Sequence, residues 1–124
     1  MKSHKLQNYL KTFRKRTGLS QRDVAYLLGC RSGAKISRYE RFARTPNPQT
    51  ILAYEIVFGV PAKDLFAGIH GKVERMVLRR AKQFEEKLGK TKPNSMTIQK
   101  QAALRELSAR ISKHDPIKFN EPQQ

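Results

Sequence analysis

The 124-residue chain has no tryptophan, a single cysteine and few acids, and each shortage excludes something. With Cys30 alone no intramolecular disulfide can form, which fits a reducing compartment. Asp and Glu total only 10 and are scattered, so no carboxylate pair is in place for acid–base chemistry. His4, His70 and His114 are too far apart in sequence to have metal-ligand spacing. A Gly-rich phosphate loop and a nucleophile–base constellation are also missing. These absences predict a protein that is not an enzyme and holds no metal and no cofactor. No apolar run approaches the ~18 residues of a membrane-spanning helix. The opening stretch MKSHKLQNYLKTFRKR lacks the apolar centre of a signal peptide or anchor. The expectation is a cytoplasmic chain with no membrane contact. Strand-type alternation, internal repeats and low-complexity tracts are absent, which leaves an all-α fold.

What the chain has in excess is positive charge. Lys and Arg total 26, giving a formal net charge of +16 and a pI near 10.5. Ordinary solubility needs a magnitude of roughly 2–8 in a small domain. The surplus points to a polyanionic partner, nucleic acid before an anionic membrane surface. Residues 1–68 carry 13 Lys/Arg against 4 Asp/Glu, and residues 69–124 carry 13 against 6, nets of +9 and +7. The footprint is therefore broad rather than confined to one basic arm.

Helical periodicity orders the chain. Leu6, Tyr9, Leu10 and Phe13 fall at i, i+3, i+4 and i+7, predicting a first helix over residues 4–16 that Gly18 ends. Ser20 followed by Asp23 is close to a capping box and opens a second helix, residues 21–28. Its buried candidates are Val24, Ala25, Leu27 and Leu28, and Gly29 stops it. Ser32 can cap a third helix over residues 33–41, with Ile36 and Tyr39 inward. Thr45-Pro46-Asn47-Pro48 breaks the chain, and Pro48 suits the first turn of a fourth helix ending at Gly59. Pro61 starts a short fifth helix with Leu65 and Phe66. Tyr9, Phe13, Tyr39, Tyr54 and Phe58 are expected in the core. Gly68 and Gly71 mark a change of character. Residues 72–88 then form a longer amphipathic pattern, with Val73, Met76, Val77, Ala81, Phe84 and Leu88 on one side, and residues 97–112 a last helix. The expected organisation is a DNA-binding domain at 1–68, a helical extension at 69–113 for dimerisation or partner binding, and a flexible tail at 114–124.

Two short helices joined by a tight turn inside a basic all-helical domain make a helix-turn-helix candidate. An isolated helix as short as residues 33–41 is marginal in water and must be held by neighbours through an inward face. Val24, Leu28, Ile36 and Tyr39 can supply that face. Ser32, Lys35, Ser37 and Arg38 can point outward, and the major groove admits one helix of this diameter.

The stretch from Leu6 to Phe66 resembles the Cro/lambda-repressor-type (Xre) helix-turn-helix family. The matching pieces are Leu10 with Arg14, Gly18-Leu19-Ser20-Gln21, Ala25, Leu28-Gly29, Ile36-Ser37-Arg38-Tyr39-Glu40, Pro46 and Gly59-Val60-Pro61. The resemblance implies a lambda-repressor-like five-helix bundle, here followed by one or two additional C-terminal helices. It implies that Gln21 meets a phosphate at a helix start, that Arg38 faces guanine, and that Arg14 and Glu40 form an internal ion pair. It places Arg44, Thr45 and Asn47 on the loop that follows the DNA backbone. In two places the sequence departs from the pattern. The turn is one residue longer near Cys30-Arg31-Ser32, which brings Arg31 toward the backbone or groove. Gly33 and Ala34 stand where longer polar base readers are usual, leaving direct readout to Lys35, Ser37 and Arg38.

Together these features predict a sequence-specific regulator of bacterial or phage type, a repressor, that binds double-stranded DNA as a homodimer through its C-terminal helices. Two alternatives stay open. One is an antitoxin-type DNA-binding protein whose C-terminal helices hold a partner protein. The other is a general nucleic-acid binder, RNA included.

Overall fold

A computed structural model describes residues 6–113, with side chains to Ile111. The expected tail at 114–124, together with His4 and His114, lies outside the described residues. Among the described residues seven helices run in order: α1 (Leu10–Thr17), α2 (Gln21–Leu27), α3 (Gly33–Glu40), α4 (Pro48–Phe58), α5 (Ala62–Leu65), α6 (Ala67–Gly89) and α7 (Ser95–Lys113). The described residues contain no strand. The chain divides into two units, one closing at His70 and the next opening at Gly71.

The core of the first unit is made of Leu10, Val24, Ala25, Ile36, Tyr39, Tyr54, Leu65 and Phe66. Phe13, Leu19, Leu28, Ile51 and Phe58 pack half-buried around it. Tyr54 sits at its centre, edge-on to Tyr39 at 6.3 Å and to Phe66 at 6.5 Å between ring centroids. The fully buried Leu10, Val24, Ile36 and Leu65 side chains each contribute about 1.5–3 kcal/mol of transfer free energy. The helices stop where their chemistry dictates. Gly18 and Gly59 adopt left-handed φ of 80° and 66°, a region a Cβ disfavours. Asn47 accepts from Thr50 N at 2.8 Å and caps α4, with Pro48 at its first position.

The first helix begins at Leu10, not at residue 4. Residues 6–9 instead form a strap whose backbone groups pair elsewhere: Tyr9 N donates to Leu65 O, while Gly68 N and Ile69 N donate to Leu6 O and Gln7 O. The Asn8 amide donates to Tyr39 O at 2.9 Å, and its carbonyl accepts from Leu10 N at 3.1 Å. A helical turn here would forfeit these bonds. The i, i+3, i+4, i+7 spacing of Leu6, Tyr9, Leu10 and Phe13 reflects common burial rather than a single helix. Similarly, α6 begins at Ala67 rather than at 72, so Gly68 and Gly71 are helical. Leu27, expected inside, is exposed, because α2 turns only Val24 and Ala25 fully inward.

In the second unit, α7 starts at Ser95 rather than at 97, where Asn94 accepts from Thr97 N and Oγ1 at 2.9 and 3.0 Å. Among its described residues only Ala81 and Thr97 are fully buried. The expected stripe on α6 divides: Ala81 and Leu88 turn inward, where Leu78, outside the expected stripe, joins them, whereas Val73, Met76, Val77 and Phe84 stay exposed.

Candidate nucleic-acid interface

Two short helices, α2 and α3, are fixed to each other by their ends and by one buried carboxylate. Ser20 Oγ accepts from Asp23 N at 3.0 Å and Asp23 Oδ2 accepts from Ser20 N at 2.9 Å, a reciprocal capping box at the start of α2. Those bonds, from the Ser20 backbone first and its hydroxyl second, hold the Asp23 carboxyl below the usual carboxylate range. At the other end Cys30 N donates to Ala25 O and Gly29 N to Tyr26 O, with Gly29 at φ 77°. This bond pair is a Schellman closure, and it reverses the chain sharply. Ser32 then caps α3 by accepting from Ala34 N at 3.4 Å.

Gly33, the first residue of α3, lies against the start of α2. A Cβ there would stand 3.3 Å from Gln21 Cβ and 3.4 Å from Arg22 N. Gly33 is therefore not an outward position lacking a base reader; it is the point where α3 seats on α2.

Beneath this pair, Glu40 is almost fully enclosed. Arg14 Nε donates to Glu40 Oε2 at 2.6 Å, and Arg14 Nη2 to Oε1 at 3.1 Å. The third guanidinium nitrogen, Nη1, donates to Leu19 O at 3.0 Å. Gln21 Nε2 donates to Glu40 Oε1 at 3.0 Å. One carboxylate thus ties α1, α2 and α3 together. Glu40 keeps the Arg14 guanidinium protonated to an even higher pH than usual. The Gln21 side chain, read from sequence as a phosphate contact, has its amide turned inward onto Glu40. Its backbone N–H remains at the helix start, where an anion is favoured.

The other side of α3 is cationic. Ile36, Tyr39 and Glu40 face in, while Arg31, Ala34, Lys35, Arg38 and Arg41 are exposed. Lys35, Arg38 and Arg41 recur every three residues and line one ridge. Arg41 was missed by the sequence reading, although its spacing from Arg38 was visible there. Ser37 is half-buried and accepts from Arg41 Nε at 3.1 Å, so it orients that guanidinium. In the loop after α3, Arg44 and Thr45 are exposed and Pro46 is buried, whereas the carbonyl of Asn47 is committed to capping α4. Phe42 takes a left-handed φ of 66°, closing α3 through Ala43 N to Arg38 O and Phe42 N to Tyr39 O.

Two helices locked at a fixed angle, with one presenting cations on its free side, have the form of a groove reader. Residues 6–66 match a family model described as a helix-turn-helix domain. The match covers the five-helix part of the chain and stops short of Gly71. A helix-turn-helix domain supports a DNA-binding regulator. No curated protein and no solved structure matches the chain. Among the described residues, no group of three His, Cys, Asp or Glu could hold a metal ion, and no helix is long and apolar enough to cross a membrane.

Proposed function

We propose that the chain is a sequence-specific duplex-DNA regulator, a repressor acting by occupying its site, with α3 in the major groove. The observation that carries this is the ridge Lys35–Arg38–Arg41 on the free side of a helix whose inner side is buried and whose base is tied by Glu40. Arg38 takes a guanine edge, where a bidentate pair is worth about 1–3 kcal/mol of discrimination. Lys35 and the backbone-oriented Ser32 lie at the helix start, which enters the groove first. Arg31, Arg41, Arg44 and Thr45, with the N–H groups at the start of α2 near Gln21, serve the phosphates, and these contacts position without specifying. Ser37 serves by orienting Arg41, and Asn47 by fixing the loop at α4. Two copies on two half-sites about one helical turn apart complete the reading.

The test is selection of binding sites from a random duplex pool, with wild type and Arg38→Ala in parallel. Wild type is expected to enrich one motif, and Arg38→Ala to lose preference at one base pair of each half-site while retaining the others. Tight, salt-steep binding with no enriched motif would overturn the reading and leave a general polyanion binder.

A further inference from the structure

The stretch that matches the helix-turn-helix family ends at residue 66, and the second unit carries a cationic surface of its own beyond it. On α6, Lys72, Arg75, Arg79 and Lys82 are all exposed. They fall at i, i+3, i+7 and i+10, so they form one stripe along the helix. At about 1.5 Å of rise per residue the stripe is roughly 15 Å long. No acid interrupts it. Glu74 and Glu85 are half-buried on the inner side with Leu78 and Ala81, and the exposed Glu86 comes one turn after Lys82. The exposed apolar residues Val73, Val77 and Phe84 keep to a different side of the helix.

We propose that this stripe is a second nucleic-acid site, which grips the phosphate backbone of duplex DNA without reading its sequence. Spacing chooses the partner. Each strand of a duplex carries one phosphate per ~3.4 Å of axis, so a stripe of ~15 Å spans about four phosphates of one strand, one for each cation. A single-sign run at so short and regular an interval suits a linear polyanion. A protein interface is depleted of charge, lysine included, at its centre. The apolar residues that an acidic protein would bury on α6 lie off the stripe. Contacts of Lys and Arg to phosphate position a protein and carry no sequence information, so the stripe adds affinity and leaves the choice of site to α3. The helix α6 begins at Ala67, inside the first unit, so the stripe and α3 are tethered in one chain. Once α3 is seated, binding by the stripe is intramolecular and needs little intrinsic affinity. The inference rests on the proposed reading that the partner is duplex DNA, and it adds to that reading a site outside the reading helix.

The measurement is the salt dependence of the full chain's affinity for two duplexes, one carrying the motif enriched by site selection and one of random sequence. Arg75→Gln/Arg79→Gln should lower the slope of log affinity against log salt by about 1.8 on both. The affinity lost between about 50 and 200 mM salt then shrinks about tenfold relative to wild type. Glutamine is as good a helix former as arginine, so the melting curve should not move. Lys72→Gln/Lys82→Gln gives the same readout should the arginine pair alter the melt. Arg80→Gln/Lys87→Gln removes the same charge from the apolar side of α6 and should move the slope less than half as far. The stripe variants should still enrich the wild-type motif in site selection. An unchanged slope overturns the proposal and leaves the stripe to an acidic protein. Equal shifts from the stripe pair and the apolar-side pair overturn it too, because the charge then acts as a diffuse field. The random duplex needs no motif, so failure of the stripe is separate from failure of the sequence-specific reading, which the site selection reports.

Discussion

Replacing Glu40 by Gln removes one negative charge from a position where the side chain is 3% exposed. Three donors converge on that carboxylate: Arg14 Nε, Arg14 Nη2 and Gln21 Nε2, at 2.6, 3.1 and 3.0 Å. A glutamine amide offers one oxygen and turns an NH2 group toward at least one of those donors. The Arg14 guanidinium, itself 12% exposed, then stays charged without a counter-charge. Breaking a buried pair in this way costs about 3–5 kcal/mol. A unit of this size has roughly 3–10 kcal/mol in total, at ~0.05–0.15 kcal/mol per residue. The variant should therefore lose a large share of its stability, and at ~4–8 °C per kcal/mol its melting temperature should fall by more than about 12 °C. All four tyrosines, Tyr9, Tyr26, Tyr39 and Tyr54, belong to the first unit and the chain has no Trp. Tyrosine near-UV circular dichroism thus follows that unit alone. The paired variant Arg14→Met/Glu40→Leu removes both charges and should melt above Glu40→Gln, because no lone charge is left buried. A loss below about 1 kcal/mol for Glu40→Gln, or a paired variant less stable than the single one, would refute the claim that this carboxylate holds the three helices together.

Other outcomes follow from single atoms. The Tyr54 hydroxyl is buried with no protein hydrogen-bond partner, and burial, then the charge of Glu40, pushes its pKa up so that it stays protonated. Tyr54→Phe should gain up to about 1 kcal/mol, a rise of a few degrees in melting temperature; a fall would show that the hydroxyl is satisfied. Asp23 has its carboxyl pKa lowered by the capping box, so the cap contributes above the ordinary Asp value of about 3.9 and is lost as pH falls through the lowered folded value. The protection of amides at the start of α2, relative to their intrinsic exchange rates, should fall with acid more than at the start of α4, whose Asn47 cap does not titrate; an equal fall would contradict this. Gly68 and Gly71 should respond oppositely to alanine. A Cβ at Gly68 collides with the Leu6 carbonyl and costs about 1–3 kcal/mol in overpacking, whereas at Gly71 the nearest atom is Arg75 Nη1 at 3.4 Å and the helix should gain about 0.5–1 kcal/mol. Thermal denaturation of both variants in parallel decides it.

Those two glycines show where sequence reasoning stops. The stops of α2 to α4 and the opening of α2 were legible because each depends on neighbours within four positions: Ser20 with Asp23, Gly29, Pro48, Gly59. The buried faces were legible in part, Val24, Ala25, Ile36 and Tyr39 following the local period while Leu27 does not. The strap at residues 6–9 was not legible, because its backbone bonds go to Leu65, Gly68 and Ile69, some sixty residues away. An apolar spacing of i, i+3, i+4, i+7 records which residues are buried, and it reads as one helix whenever the partner strand of chain is far off in sequence. At the site, the ridge Lys35–Arg38 was visible as an outward period. The inward turn of the Gln21 amide was not, since it needs the α1–α3 ion pair already in place. The same reasoning explains why Gly33 looked like a missing base reader: from sequence it is an outward slot without a side chain, while in the fold it is the closest approach of α3 to α2. Positions set by helix-on-helix distance carry no periodic signal, because a short gap between two backbones selects for the absence of atoms. A glycine at the start of a reading helix is thus as much evidence of tight seating as of weak readout, and only the distance to Gln21 separates the two.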